Sequence, residues 1–384
     1  MKISNLAKHY PVSGIRVMKN LGKQVPNCID LCSGDPGFDT PPHITHAACC
    51  ALQEGLTHYA PGEGSDRYRR AAADKCSRQF GTKYINHNIC ACLGAVQGVM
   101  MSLMAVIDPG DEVLLPDPGY TCYEGQVRCC GGVAVRLPLK KEQNFLPDPN
   151  TLRRLITPKT RAIVLNYPHN PSGAVLTKEA FDPVAEIIKK HGLYVISDEV
   201  YEAFVYTESG HYSPIQNPNI CDRVLSVHSL SKTYAMTGWR VGYVLAHEDL
   251  ICQVAKMQEA MAACLPTFVM EAAAQALSGP QQDVEKMKEI YRQHRQLLHN
   301  ALSPLPNIDL FVPDGGFCAL VDISASGLDD KTLAKRLLFE TGVLTCPGSV
   351  FGVQGANYLR LCFARNTRDI ESAAQKMVQF FSCL

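Results

Sequence analysis

Seven short apolar runs recur through the first two thirds of the chain. They are "NICACLG" (88–94), "DEVLLPD" (111–117), "GVAVRLP" (132–138), "RAIVLNYP" (161–168), "LYVISDE" (193–199), "RVLSVHS" (223–229) and "RVGYVLA" (240–246). Each is short, and each is closer to continuously apolar than to alternating, so each predicts a strand buried on both faces. Longer stretches at helical spacing separate several of them, at 95–107, 120–130, 150–157 and 177–191. The last opens with "LTKEAF", where Thr177 predicts an N-cap. Strands alternating with helices predict an α/β architecture, a mostly parallel seven-stranded sheet covered on both faces.

The texture changes near residue 280. A long charged helix, "QQDVEKMKEIYRQHRQLLHNAL", precedes two strand-like pieces, "IDLFVP" and "GFCALVD". A helix over 330–341, a strand "YLRLCFA" and a last helix over 368–381 follow. This α+β pattern predicts a smaller domain over 281–384 beside a large domain over 41–280. Residues 1–40, rich in proline and glycine, are expected to pack with the smaller one. A chain of 384 residues with 46% hydrophobic content has enough apolar material for two such cores.

Charge narrows the possible partners. Lys+Arg and Asp+Glu are equal at 37 each, so no net field draws nucleic acid or anionic lipid. No apolar stretch approaches the roughly 20 residues that span a bilayer, and the first residues, "MKISNLAKHYPVSG", lack an apolar signal core. A soluble, cytoplasmic protein is expected. The seventeen cysteines lack zinc-site spacing. They are expected to be reduced thiols serving mainly as small hydrophobes, without a structural metal.

In open α/β sheets ligands bind beyond the carboxyl ends of the strands. At such ends lie Gly94 and Ala95, Tyr120, Asn170, Asp198 with Tyr201, and the segment from Ser229 to Lys232. Alone, each has an ordinary reading as a cap, a turn or a core ring. In "SLSKTYAMTGWRVGY" (229–243) a lysine sits among hydroxylated residues, with Arg240 eight positions on between Gly238 and Gly242. That is either a surface loop or a reactive amine beside an anion site.

The whole set resembles the pyridoxal-phosphate enzymes of fold type I, specifically the class I and II aminotransferases. The likeness is nearest to the gamma subgroup of aspartate and aromatic aminotransferases. It is carried by the segment 229–243 and by "SGIRVMKN", "CSGDPGFDTPPH", "THYAPGEG", "NYPHNPSGAVLTKE" and "ISDEVYEAFVY" in the same order. It implies pyridoxal 5'-phosphate as cofactor, joined to Lys232 as a Schiff base, with Lys232 then serving as general base and acid. It implies Asp198 on the pyridine nitrogen, Tyr201 and Asn170 on the phenolic oxygen, and Tyr120 against the ring. Ser229, Arg240 and the backbone of Gly94, Ala95 and Val96 would hold the phosphate. Arg360 would grip the substrate carboxylate with help from Gly34 and Asn170. Tyr59 would reach the phosphate of a partner subunit, implying a homodimer.

The implied reaction carries the amino group of an L-amino acid to a 2-oxo acid such as 2-oxoglutarate in a ping-pong cycle. A C–S β-lyase on the same cofactor, or a cofactor-binding sensor, are the rival readings. Acid-specific members of this branch often place a lysine where this chain has Val96. The N-terminal piece covering the substrate offers Tyr10, Val12 and Ile15, with Arg16 the nearby cation besides Lys8 and His9. An uncharged pocket predicts a preference for aromatic or large aliphatic donors over aspartate, with aspartate and alanine as the alternatives and 2-oxoglutarate accepted by rearrangement or by Arg16.

Overall fold

The computed structural model describes residues 2–10, 12–208 and 210–384. All seven apolar runs are strands of one sheet: β1 (Ile89–Cys92), β2 (Glu112–Asp117), β3 (Val133–Pro138), β4 (Thr160–Asn166), β5 (Tyr194–Asp198), β6 (Val224–Ser229) and β7 (Gly242–Leu245). Their spatial order is β1-β7-β6-β5-β4-β2-β3. Six run in one direction, and β7 is antiparallel to both of its neighbours. Between β6 and β7 there is only a four-residue helix and a tight turn, with no covering helix of the kind a parallel return needs.

The runs look continuously apolar because the sheet is covered twice. Ala162, Val164, Ile196 and Val227 pack on one face with Val99 and Leu103 of helix Ala95–Val106. Ile163, Leu165 and Val195 pack on the other with Phe181, Val184 and Ile188 of helix Lys178–His191. That helix starts as predicted: the Thr177 hydroxyl oxygen accepts from the Ala180 amide at 3.3 Å. The helices expected at 120–130 and 150–157 are shorter, Tyr123–Cys129 and Pro149–Leu155. The second is fixed by Asp148, whose carboxylate accepts from the Thr151 amide at 2.8 Å.

Residues beyond 280 form a second, antiparallel sheet of β8 (Asp309–Phe311), β9 (Cys318–Asp322), β10 (Cys346–Pro347) and β11 (Tyr358–Cys362), in the order β10-β11-β9-β8. Helices Gln282–Leu302, Asp330–Thr341 and Thr367–Ser382 accompany it. The N-terminal segment is stitched to this region. Ile29–Asp30 pairs in parallel with Val343–Leu344, the Cys362 amide donates to the Leu31 carbonyl at 2.7 Å, and Arg365 meets Asp30 at 3.0 Å. Helix Gly14–Gly22 lies so close that a Cβ on Gly14 would come within 2.5 Å of Val350. Among the described residues, no helix is long and apolar enough to cross a membrane.

Candidate active site

A cavity of about 510 Å³ opens at the carboxyl ends of β4, β5 and β6. Strand register sets its floor: Asn166, the last residue of β4, lies beside Asp198, the last of β5, and Asp198 lies beside Val227, two residues before β6 ends at Ser229. Because β7 runs backwards, the turn that precedes it delivers Arg240 to the same edge as Ser229.

One end of the cavity is built for an anion. Gly94 caps helix Ala95–Val106 at a φ of +79°. A Cβ there would sit 2.6 Å from Nη2 of Arg240, so only glycine fits. The first amides of that helix, those of Ala95 and Val96, have no intrahelical acceptor, as at any helix start. Arg240 donates to the carbonyls of Thr237 and Leu93 at 2.9 and 3.1 Å and pairs with no carboxylate among the described residues. Its backbone is left-handed, with a φ of +55°, a conformation costing about 1–3 kcal/mol that the surrounding turn imposes. Ser229 caps the turn Leu230–Thr233, its oxygen accepting from the Ser231 amide at 3.1 Å. The expected cap role is therefore real, and the hydroxyl keeps its one hydrogen to donate.

Lys232 follows on that turn, and its Nζ donates to the Gly34 carbonyl. Burial, the dominant influence, lowers its pKa below that of an ordinary lysine, and the Arg240 charge adds to the effect. Opposite stands Asp198, buried at the end of β5. Its Oδ2 accepts from the Tyr123 hydroxyl at 2.6 Å, yet among the described residues no cation forms an ion pair with it. Burial pushes its carboxyl up to about 6 against the partial relief of the Tyr123 hydrogen bond. Asn166 supports the strand end by donating to the Asp198 carbonyl at 2.9 Å and accepting the Asn170 amide at 3.0 Å. Tyr120 and Tyr201 line the cavity, the first edge-on to Tyr123 at 5.5 Å and the second edge-on to Phe317 at 5.1 Å.

Behind Asp198 lies a denser charged network. Glu199 accepts from Ser213, Ser226 and His211, Glu202 accepts from Lys75 and Gln79, and His228 Nδ1 lies 3.1 Å from Glu202. Although Glu199, Glu202 and His211 are near enough to share a cation, every carboxylate oxygen already has a donor. The network anchors the strand end.

Arg360, in the middle of β11, is 2% exposed. Its Nη1 lies 3.4 Å from Asn170 Oδ1 and 3.5 Å from Cys318 Sγ, and its Nη2 donates to the Cys32 carbonyl. The guanidinium sits 4.9 Å over the Phe351 ring, and its Nε is buried without a hydrogen-bond partner. No carboxylate pairs with it among the described residues. Its neighbours are instead the thiols of Cys32, Cys318, Cys346 and Cys362. Cys318 and Cys362 face each other across β9 and β11 with sulfurs 3.1 Å apart. All seventeen cysteines are free, and these four are among seven that are buried.

The cavity thus gathers Gly34, Ala95, Val96, Tyr120, Asn170, Asp198, Tyr201, Ser229, Lys232, Arg240 and Arg360, and Gly94 touches it through Arg240. Tyr59 is 90% exposed and does not line the cavity of its own chain. Tyr123, Asn166, Asp35 and Lys19 line it without having been singled out from sequence. Tyr123 stands one helical turn past Tyr120, and Lys19 one turn past Ile15, and that spacing was the available signal. The expectation for Arg16 needs correcting. Helix Gly14–Gly22 turns Ile15 and Lys19 to the cavity and leaves Arg16 exposed outside it; the His9 side chain lies outside the described part.

The profile of aminotransferase class I and II matches residues 26–377. A probable aspartate aminotransferase of Methanocaldococcus jannaschii is 38% identical over 99% of this chain and 100% of its own. An aromatic-amino-acid aminotransferase of Thermococcus litoralis is 35% identical over 98% and 97%. The crystal structure of an aromatic aminotransferase from Pyrococcus horikoshii superposes with a TM-score of 0.90 at 37% identity, covering 95% of this chain and 98% of that one. Family, fold and cavity agree: the chain belongs to the class I and II aminotransferases, pyridoxal-phosphate-dependent enzymes of fold type I.

Proposed function

We propose that the chain transfers the amino group of an L-amino acid to a 2-oxo acid in a ping-pong cycle, with the cavity residues in the roles their positions suggest. One observation carries the reading. A buried guanidinium without an acidic partner, Arg360, shares a cavity with a buried, pKa-lowered amine, Lys232. An isolated buried charge is expensive, so a site that keeps one is prepared for a ligand of opposite sign. A substrate α-carboxylate meets that need at Arg360, with Asn170 and Gly34 alongside.

The residues also fit pyridoxal phosphate. The buried, cation-free carboxylate of Asp198 suits a protonated ring nitrogen, and Gly94, Ala95, Val96, Ser229 and Arg240 form a cradle for a dianion. When bound, the cofactor supplies an electron-accepting ring that draws charge from the substrate Cα. Lys232, whose pKa burial lowers, would take and return the substrate Cα proton. Tyr120 would lie against the ring, and Tyr201 and Asn170 would hold its phenolic oxygen. Tyr59, exposed here, serves the neighbouring phosphate in a homodimer. The same reading divides the chain at 1–40, 41–280 and 281–384 and locates the enzyme in the cytoplasm.

Ile15 and Val96 give the substrate side chain apolar surface, which favours aromatic and large aliphatic donors. The test is a half-reaction screen of L-amino acids, read in the absorbance of the bound cofactor. The expected result is conversion to the pyridoxamine form by a donor and restoration by 2-oxoglutarate. Release of pyruvate and ammonia instead would mark a lyase and overturn the reading.

A further inference from the structure

Helix Gly14–Gly22 meets the cavity with two residues one turn apart, Ile15 and Lys19, while Met18 is buried in the core and fixes which face turns inward. Lys19 has an unusual status there. Among the described residues its side chain makes no ion pair and no hydrogen bond. The other charged groups lining the cavity are engaged or assigned. Lys232 donates to Gly34, Arg240 to Thr237 and Leu93, Asp198 accepts from Tyr123, and Asp35 accepts from Thr237 at 2.8 Å. Arg360 is the candidate for the α-carboxylate. An exposed ammonium, without an internal partner among the described residues, is left lining the cavity.

We infer that Lys19 receives the distal carboxylate of dicarboxylic substrates, glutamate and 2-oxoglutarate among them. The inference rests on the aminotransferase reading above and names the side-chain end of the same site. It also resolves a conflict within that reading. An apolar pocket suits aromatic donors, yet the acceptor half of the cycle must hold a second carboxylate, and leaving that group unpaired costs several kcal/mol. Val96 offers no charge, and Arg16 lies off the cavity. Lys19 provides the cation on a flexible four-carbon stem that stays hydrated when not in use. When a phenyl or isobutyl group occupies the space, the ammonium moves out to water and Ile15 supplies the contact. Because Lys19 is exposed, its pairing is partly screened, so it tunes the choice of substrate and does not dictate it.

The test measures kcat/KM for glutamate and for phenylalanine in single half-reactions of the holoenzyme, at low and high salt. In Lys19→Met, which keeps the apolar stem, the glutamate-to-phenylalanine ratio is expected to fall about tenfold, equivalent to about 1.4 kcal/mol. The ratio's dependence on salt should disappear with it. Lys19→Glu should lower the glutamate rate further and raise the rate with lysine as donor, which a merely structural role would not do. A ratio unchanged in Lys19→Met, or a charge swap that leaves the glutamate and lysine rates in their original order, would overturn the inference. Failure of every amino acid to convert the wild-type cofactor would instead overturn the aminotransferase reading itself.

Discussion

Replacing Asp198 by asparagine is expected to stabilise the cofactor-free protein at neutral pH while destroying its use for the cofactor. The folded chain holds the Asp198 carboxyl at about 6, against an ordinary value of 3.8, because burial disfavours its charge. Between those two pH values the folded state keeps a proton that the unfolded state has released. The contribution of this group is therefore fully favourable below about pH 4, and it is lost as pH rises through 6. A shift of about two units corresponds to about 3 kcal/mol. Asparagine does not titrate, and its amide oxygen can still accept the Tyr123 hydrogen bond. Asp198→Asn should thus exceed the parent by about 3 kcal/mol at pH 8, with the margin closing toward pH 4. Urea unfolding of both cofactor-free proteins from pH 4.5 to 8, at one protein concentration, measures the margin. With saturating cofactor the order should reverse, since a pyridinium compensates the carboxylate and not the amide. A margin that is flat in pH, or an asparagine variant less stable at pH 8, would refute the reasoning.

Borohydride reduction of the holoenzyme followed by peptide mapping should mark Lys232, and Lys232→Ala should lose turnover while still binding the cofactor; a label on another lysine sinks the assignment. Arg360→Met should raise the thermal midpoint by removing a buried unpaired charge, yet lower kcat/KM for L-amino acids by 10²-fold or more, about 3 kcal/mol. A less stable Arg360→Met protein would mean that the cysteine-lined surroundings of Arg360 compensate its charge. Mixing Lys232→Ala chains with Tyr59→Phe chains should form hybrid dimers with one intact site, binding the cofactor there as tightly as the parent enzyme, and a fully active monomer in sedimentation would exclude the shared site.

The strands were legible because both faces of the sheet demand apolar side chains, leaving runs such as 161–168 with no polar interruption in their core. Helices Asp66–Phe80 and Thr267–Ser278 were not, because their buried faces use alanines such as Ala72, Ala73, Ala273 and Ala276, which carry little pattern. Within the site, the residues on one turn or one strand end could be read together. Residues joined only by folding could not. Tyr123 reaches Asp198 across 75 positions of chain, and nothing local to either announces the contact. The roles assigned to Tyr201 and Tyr120 came from family likeness and not from their spacing. The choice between Arg16 and Lys19 depended on the rotation of a single helix, fixed by where Met18 is buried.

The antiparallel β7 gives the site an uneven wiring. Ser229, Lys232 and Arg240 lie within one short connection, so part of the proposed anion cradle is gathered by a small loop, while its link from Arg240 to the Leu93 carbonyl spans 147 positions. The proposed carboxylate end has no such local part. Arg360 reaches the Cys32 carbonyl across 328 positions and Asn170 across 190, and Lys232 reaches Gly34 across 198. Loop-closure entropy rises by about 0.6 kcal/mol per doubling of length, so these distant closures cost a few kcal/mol more than the local one. The two contacts of Arg360 also depend on β11. A chain still lacking β11 therefore already contains every residue proposed for the phosphate within one subunit. The α-carboxylate end proposed at Arg360 is complete only once β11 has paired with β9.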